Sequence, residues 1–194
     1  MRVGNPSYIE IYDNALNKKE CDILINQFEK SNQRVGHTSL GYVPQHKKCL
    51  ELIGPSGVPC FSDNSRISTI LQSILIKYVD QYSQQYSHLL DYLTPWKYYD
   101  FYNFQKYETE DDGYKRWHTE HGPGLVCSDR ILAWMFYLNN AKSGTEFVQY
   151  PTVRAKMGRC VIWPAAWTHV HRGVTPNKGL KYIITGWVSF KNEK

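Results

Sequence analysis

The sequence is poor in the features that would send it to several large protein classes. Its five cysteines (Cys21, Cys49, Cys60, Cys127 and Cys160) are odd in number, widely spaced, and include no Cys-x-x-Cys pair. That spacing argues against a zinc knuckle or a dithiol redox motif, and free thiols in a reducing cytoplasm are expected. No stretch approaches 18 apolar residues, and the opening "MRVGNPSYIEIYDNAL" has no apolar h-region. Neither a membrane span nor secretion is therefore expected. Basic residues are not clustered either: 23 Lys and Arg against 18 Asp and Glu give a net +5 without a basic run, so nucleic acid is disfavoured as a partner. There is no internal repeat and no low-complexity segment, and 194 residues read as one domain. A chain of that size buries about 70% of the surface its unfolded form exposes, enough for a rigid site.

What is present divides near Pro95. Before it, "YIEIY" alternates like a short strand. In "NKKECDILINQFEKS", Asn17 is placed to cap a helix whose buried face carries Cys21, Leu24, Ile25 and Phe28. Residues 36–65 are rich in Gly, Pro, Ser, His and Lys without a clear period and read as a long surface excursion, followed by a second helix with Ile67, Ile70, Leu71, Ile74, Leu75, Tyr78 and Tyr82 on one face. After Pro95, "KYYDFYNFQKY", "RILAWMFYLN", "RCVIWPA" and "KYIITGWVSF" are aromatic and β-branched, separated by turn residues. The pattern predicts an α+β domain, with helical support over about 1–95 and a β-sandwich or barrel over about 96–190.

Chemistry concentrates in two places. In "YKRWHTEHGPG", an extended backbone puts His118 and Glu120 on one face and Thr119 and His121 on the other, a natural two-point metal clamp. Some fifty residues later, "WPAAWTHVHRGVTPNKGLKYIITGW" offers His169 and His171 on one face of a strand, then a turn, then Lys181 opening the returning strand. Two imidazoles and one carboxylate with the opposite face of the ion open is the donor set of non-haem Fe(II) oxygenases. A nearby buried cation could hold the far carboxylate of a dicarboxylic co-substrate.

On these motifs the chain resembles the 2-oxoglutarate and Fe(II)-dependent dioxygenases, in the prolyl 4-hydroxylase-like branch, of the small stand-alone bacterial or phage type. "IEIYDNALNKKECDILINQFE" resembles the branch's opening strand and helix, "KYETEDDGYKRWHTE" its first metal-ligand strand, and "FYLNNAKSGTEF" its "YLN…GGeTeF" segment. The resemblance implies a double-stranded β-helix (jelly roll) buttressed by N-terminal helices, with Fe(II), 2-oxoglutarate as co-substrate and O2, ascorbate being an optional addition. It implies hydroxylation of an unactivated C–H with release of succinate and CO2, first of all on a prolyl residue in a peptide. It matches His118, Glu120 and His171 to the metal ligands and catalytic triad, with Gly179 eight and Lys181 ten residues after His171. His169 ranks second because its spacing to Lys181 is twelve. Lys181 then matches the residue that binds the distal carboxylate, and Tyr107, Tyr137 and Thr185 match its helpers. Two positions depart from the pattern: Glu120 stands where aspartate is usual, and Ser143 replaces the first glycine of the double-glycine loop.

The alternatives are a cupin-like metal- or sugar-binding jelly roll using "HVH", disfavoured because no glutamate follows shortly after, and an oxygenase acting on a free amino acid, another small molecule or a nucleobase. His37, His46 and His88 read as surface, and His121 as exposed or lining the entrance. Arg172 is expected to meet substrate or pair with an acid. The tryptophans Trp117, Trp134, Trp163, Trp167 and Trp187, with Tyr98, Tyr99, Tyr102 and Phe104, are assigned chiefly to the core.

Overall fold

The computed structural model describes residues 7–38, 41–55, 57–91, 95–122, 127–176 and 179–190, the side chain of Leu89 excepted. Pro123 and Gly124 of the first motif and the centre of the turn before Lys181 lie outside them.

Strand β1 (Glu10–Tyr12) leads into helix α1 (Lys18–Lys30). The helix starts where expected because Asn17 Oδ1 accepts the Glu20 amide at 3.0 Å while Glu20 Oε2 accepts the Asn17 amide at 2.7 Å, a reciprocal cap that satisfies two otherwise unpaired donors. Cys21, Leu24 and Phe28 are its buried face. Helix α2 (Arg66–Gln85) is capped by Ser65 and buries Ile67, Leu71, Leu75, Val79 and Tyr82. Ile70, Ile74 and Tyr78 flank that stripe half-buried. A short α3 (Ser87–Leu90) follows.

The expected surface excursion is partly sheet. Strands β2 (Gln33–Val35), β3 (Lys47–Lys48) and β4 (Leu50–Leu52) fall in or beside it, and pieces of two or three residues are too short to show a period of two. The remaining strands are β5 (Trp96–Tyr107), β6 (Gly113–Tyr114), β7 (Arg130–Tyr137), β8 (Gly144–Phe147), β9 (Val153–Arg154), β10 (Arg159–Pro164), β11 (His171–Val174) and β12 (Lys181–Phe190). The major sheet runs β1-β10-β7-β12-β5-β4-β2, a minor sheet runs β11-β8-β9, and β3 pairs with β6. All of these pairings are antiparallel.

Strand parity makes the major sheet the middle layer. Along β7, Leu132, Trp134 and Phe136 join Phe28, Leu71 and Leu75 in the core beneath the helices. Ala133, Met135 and Tyr137 turn the other way, toward Phe147 and Val153 of the minor sheet. The same alternation sends Tyr182 and Ile184 of β12 to the helices and Ile183 and Trp187 to the inner side. Two antiparallel sheets face to face with helices closing one outer face make the α+β jelly roll that the sequence predicts.

Candidate active site

The two chemical motifs meet in one antiparallel bridge. The His118 amide donates to the His171 carbonyl at 3.0 Å and the His171 amide returns the bond to His118 at 2.9 Å. This pair sets the two imidazoles side by side, ring centroids 4.4 Å apart. Glu120, two residues on, swings its carboxylate to them: Oε1 lies 3.8 Å from His118 Nε2 and 3.3 Å from His171 Nε2. The three candidate ligand atoms all fall within 4.8 Å of one another.

The tautomers are set from behind. His118 Nδ1 meets the Arg116 carbonyl at 2.9 Å and His171 Nδ1 the His169 carbonyl at 2.8 Å. A carbonyl accepts only, so each Nδ1 carries a proton and each Nε2 is the nitrogen left to face the shared centre. Tyr114 stacks on His118 at 3.8 Å and 12° and fixes the ring plane. The carboxylate is held too. Glu120 Oε2 accepts from Trp187 Nε1 at 2.8 Å and from Arg130 at 3.4 Å, and the Arg130 guanidinium lies 3.5 Å over the Trp187 ring. Burial pushes the Glu120 carboxyl up, but hydrogen bonds and charge from His118 and His171 outweigh it and hold the group well below the usual carboxylate range. Two imidazole Nε2 atoms and one carboxylate, with open space beyond them, fit a divalent iron that keeps coordination positions free.

That open space is a cavity of about 990 Å³ between the inner face of the major sheet and the loops over it. All seven residues singled out for metal or co-substrate line it: the triad, Lys181, Tyr107, Tyr137 and Thr185. Lys181, opposite Tyr107 in the β12–β5 register, is 2% exposed. Its ammonium donates to the Val174 carbonyl at 2.9 Å and lies 4.4 Å from the Tyr107 ring centre. Among the described residues no carboxylate is within ion-pair distance of it, and burial brings its pKa down to about 8. A buried ammonium without an acid is costly and is aimed at an anion that arrives from outside. Ser143 belongs to this corner, since its hydroxyl donates to the same Val174 carbonyl. The residue that departs from the double-glycine pattern thus ties the start of β8 to the end of β11.

The hydroxyls differ in what they can offer. Tyr137 and Thr145 share a hydrogen at 2.6 Å, and the second hydrogen of the pair meets nothing stronger than Met135 Sδ at 3.8 Å, so it is free to turn to an anion. Thr145 is a site residue that sequence reading missed, although "SGTEF" contains it. Thr185 donates to the Trp134 carbonyl at 2.8 Å. Tyr107 donates to Gln105 Oε1 at 2.7 Å, and Gln105 Nε2 donates to Glu51 Oε1 at 3.1 Å. Because Glu51 can only accept, the Gln105 amide is oriented and the Tyr107 hydrogen is committed to it. Glu51 is in turn bonded to the buried Lys47. The uninformative loop therefore supplies a buried ion pair behind the inner end of the cavity.

Other expectations change. His169 does not share a strand face with His171, because it closes a turn of 3-10 helix at Trp167–His169 and β11 begins only at His171. Its Nε2 donates to the Ser7 carbonyl at 2.7 Å and its Nδ1 meets Thr168 Oγ1 at 2.9 Å, so neither nitrogen faces the triad. Trp117 is not core: it is 40% exposed at the cavity mouth, with the Arg172 guanidinium 4.5 Å over its ring. Arg172 pairs with Glu146 at 2.7 Å. Trp187 and Tyr99 line the cavity, whereas Trp134, Trp163, Tyr102 and Phe104 are core. His121 lines the cavity exposed, its Nδ1 on the Arg130 carbonyl at 3.1 Å.

The model of the 2OG-Fe(II) oxygenase superfamily matches residues 102–189, from the middle of β5 to the end of β12, and so spans the whole triad and Lys181. Residues 102–189 therefore form an oxygenase domain of that superfamily. Oxygenases of this kind use Fe(II), 2-oxoglutarate and O2, and the chain is a 2-oxoglutarate-dependent dioxygenase. Solved structures similar to the oxygenase share its fold at low identity. A viral collagen prolyl hydroxylase from Paramecium bursaria Chlorella virus-1, in complex with 2OG, has a TM-score of 0.68 and 17% identity, covering 97% of this chain and 99% of that one. A prolyl-4-hydroxylase from Pseudomonas putida gives 0.67 and 14%, covering 94% and 93%. A prolyl hydroxylase from Trichoplax adhaerens, in complex with a hypoxia inducible factor oxygen degradation domain peptide fragment, gives 0.68 and 16%, covering 95% and 84%. No match was found among curated proteins. Among the described residues, no helix of the oxygenase is long and apolar enough to cross a membrane.

Proposed function

We propose that the oxygenase, acting as a single domain, hydroxylates an unactivated C–H of a prolyl residue in a peptide. In this reading His118, Glu120 and His171 hold Fe(II), and Lys181 with the Tyr137–Thr145 pair receives the distal carboxylate of 2-oxoglutarate. The observation that carries it is the convergence of three ligand atoms within 4.8 Å on the same cavity that contains a buried ammonium without an acid partner. The prolyl assignment is supported by the likeness to prolyl hydroxylases, one of them solved with a peptide fragment. The free cysteines Cys21, Cys49, Cys60, Cys127 and Cys160 are compatible with work in a reducing cytoplasm.

The bound metal and co-substrate supply O2 activation and the oxidative decarboxylation that yields succinate and CO2. The chain's own residues do the rest. The Nδ1 atoms of His118 and His171 are pinned to main-chain carbonyls, which leaves each Nε2 to bind the metal, and Trp187 and Arg130 hold Glu120 in place on its outer oxygen. One ionised carboxylate against a divalent cation leaves a net positive site, which favours a dianionic co-acid. The aromatic and aliphatic inner wall, with Met135 and Ile183 beside Lys181, keeps that anion from water. A reading built on a His169–His171 pair is disfavoured because both His169 nitrogens are engaged elsewhere.

The test is turnover of 2-oxoglutarate to succinate with proline-containing peptides. Formation is expected only with Fe(II), accompanied by a peptide mass gain of one oxygen. Succinate formation that persists under a chelator, or its absence with every peptide tried, would contradict the proposal.

A further inference from the structure

The charges around the cavity are unbalanced. Its described lining contains the cations Lys47, Arg116, Arg130 and Lys181 and a single carboxylate, Glu120. Lys47 is neutralised by Glu51 behind the wall, and Arg130 lies against Glu120 at 3.4 Å. Lys181 sits at the inner end with the co-substrate. Arg116 is left over. It is exposed, two residues before His118, and among the described residues its guanidinium meets the His46 ring, Nη1 to Nδ1 at 3.5 Å. Among the described residues no carboxylate reaches it.

Two acids of the turn before Arg116 are engaged elsewhere. Asp112 accepts the amides of Glu108 and Thr109 at 2.7 Å and 3.2 Å and pairs with Lys48 at 3.3 Å, while Glu108 pairs with Lys106 at 2.8 Å. Two of the four acids in the 108–112 run, Glu108 and Asp112, are thus spent on its own turn and on neighbouring lysines, while Glu110 and Asp111 are exposed on the turn. Beside Arg116 the mouth presents the half-exposed Trp117 ring, backed by an Arg172 whose charge Glu146 already balances. A flat apolar surface next to one unpaired, exposed guanidinium suits a peptide segment carrying a carboxylate, which a planar fork binds in two places. One such cation, without a basic stripe, suits a polyphosphate backbone poorly.

We propose that the substrate of this oxygenase is acidic beside the hydroxylated residue and that Arg116 reads that acidity at the cavity mouth, an inference that rests on the oxygenase reading above. The Arg116 carbonyl, which orients His118, is main-chain and survives substitution of the side chain. Specificity can thus be altered without touching the triad.

The experiment measures binding apart from chemistry. Three fluorescein-labelled peptides with a central proline, identical except for flanking Glu, Gln or Lys, are titrated with the full chain under nitrogen in Mn(II) and 2-oxoglutarate and followed by anisotropy. The Glu peptide is expected to bind about threefold to fivefold tighter than the Gln peptide, with the Lys peptide weakest and the gap narrowing as salt rises. Arg116→Ala should erase the difference between Glu and Gln, and Arg116→Glu should invert the order. Equal binding of the three, no binding of any, a preference that survives Arg116→Ala, or displacement by a single-stranded oligonucleotide at lower concentration than by unlabelled Glu peptide would each overturn the proposal. Succinate formation with Fe(II) and O2 is read separately. Equal kcat/KM for all three peptides sinks the acidic preference and leaves the oxygenase reading standing, whereas an acidic preference in binding without succinate does the reverse.

Discussion

Lys181→Met is expected to lose 2-oxoglutarate binding by at least about a hundredfold while making the ligand-free protein more stable. The two effects have one cause. The ammonium is 2% exposed, has no acid among the described residues, and has its pKa lowered by burial to about 8. Relative to an ordinary lysine, that displacement corresponds to roughly 3 kcal/mol of unfavourable desolvation carried by the empty site. Methionine fills nearly the same volume and carries no charge, and the Val174 carbonyl keeps the Ser143 hydroxyl as a donor. A rise in Tm of about 6–12 °C is expected for a domain of this size. With co-substrate present the sign reverses, because a charge-assisted bond between buried groups is lost, typically 2–5 kcal/mol. The pH dependence follows. The unfolded chain binds a proton that folded Lys181 has released between pH 8 and the ordinary lysine range, so ligand-free stability rises with pH across that window. Affinity for the dianion falls over the same range as the ammonium deprotonates. Calorimetric titration of 2-oxoglutarate against variant and parent, with thermal melts of both, measures the pair of effects. Unchanged co-substrate affinity would remove Lys181 from the account.

Glu120→Asp, which restores the residue usual in relatives, is expected to weaken rather than improve metal binding, by about tenfold to a hundredfold. The glutamate is one methylene longer, and the structure shows what uses the extra reach. Oε1 faces His171 at 3.3 Å while Oε2 takes the Trp187 indole at 2.8 Å and the Arg130 guanidinium at 3.4 Å. A carboxylate drawn back by one carbon meets either the imidazoles or Trp187 and Arg130, but not both. If it stays with the ion, Arg130 is left a buried cation stacked on Trp187 without its acid. Glu120→Gln keeps the length and removes the charge, and is expected to cost more than the shortening does. Titration with Mn(II) or Co(II), which tolerate air, ranks the three forms. Metal affinity in the aspartate variant equal to or above the parent would show that the Trp187 and Arg130 contacts are incidental.

Both predictions involve residues that sequence pattern could find, and both depend on partners that it could not. His118, Glu120 and Lys181 carry their signal in spacing: the His-x-Glu pair is local, although an isolated bridge rather than a strand holds it, and the returning strand β12 places Lys181. The long helices were legible for the same reason, as their period extends over several turns. Trp187, Arg130 and Thr145 sit among aromatic and β-branched neighbours whose ordinary fate is core, and only the meeting of β12, β7 and β8 on one cavity distinguishes them. Lys47 and Glu51 were hidden in strands of two and three residues, below the length at which alternation is visible. Alternation from His118 would place Trp117 in the core. Alternation does not hold there, because His118 makes an isolated bridge rather than sitting within a continuous strand. His169 and His171 look like one strand in sequence because the 3-10 turn that ends at His169 leaves no local signal.

The central claim is that His118, Glu120 and His171 hold the iron while Lys181 receives the far end of the co-substrate. The most direct test is anomalous diffraction at the iron edge from crystals grown under nitrogen with Fe(II) and 2-oxoglutarate. The account predicts a single strong peak bounded by the Nε2 atoms of His118 and His171 and a carboxylate oxygen of Glu120, with the distal carboxylate of 2-oxoglutarate on the Lys181 ammonium. A peak beside His169, or a co-substrate carboxylate held at Arg116 with Lys181 bare, would contradict it.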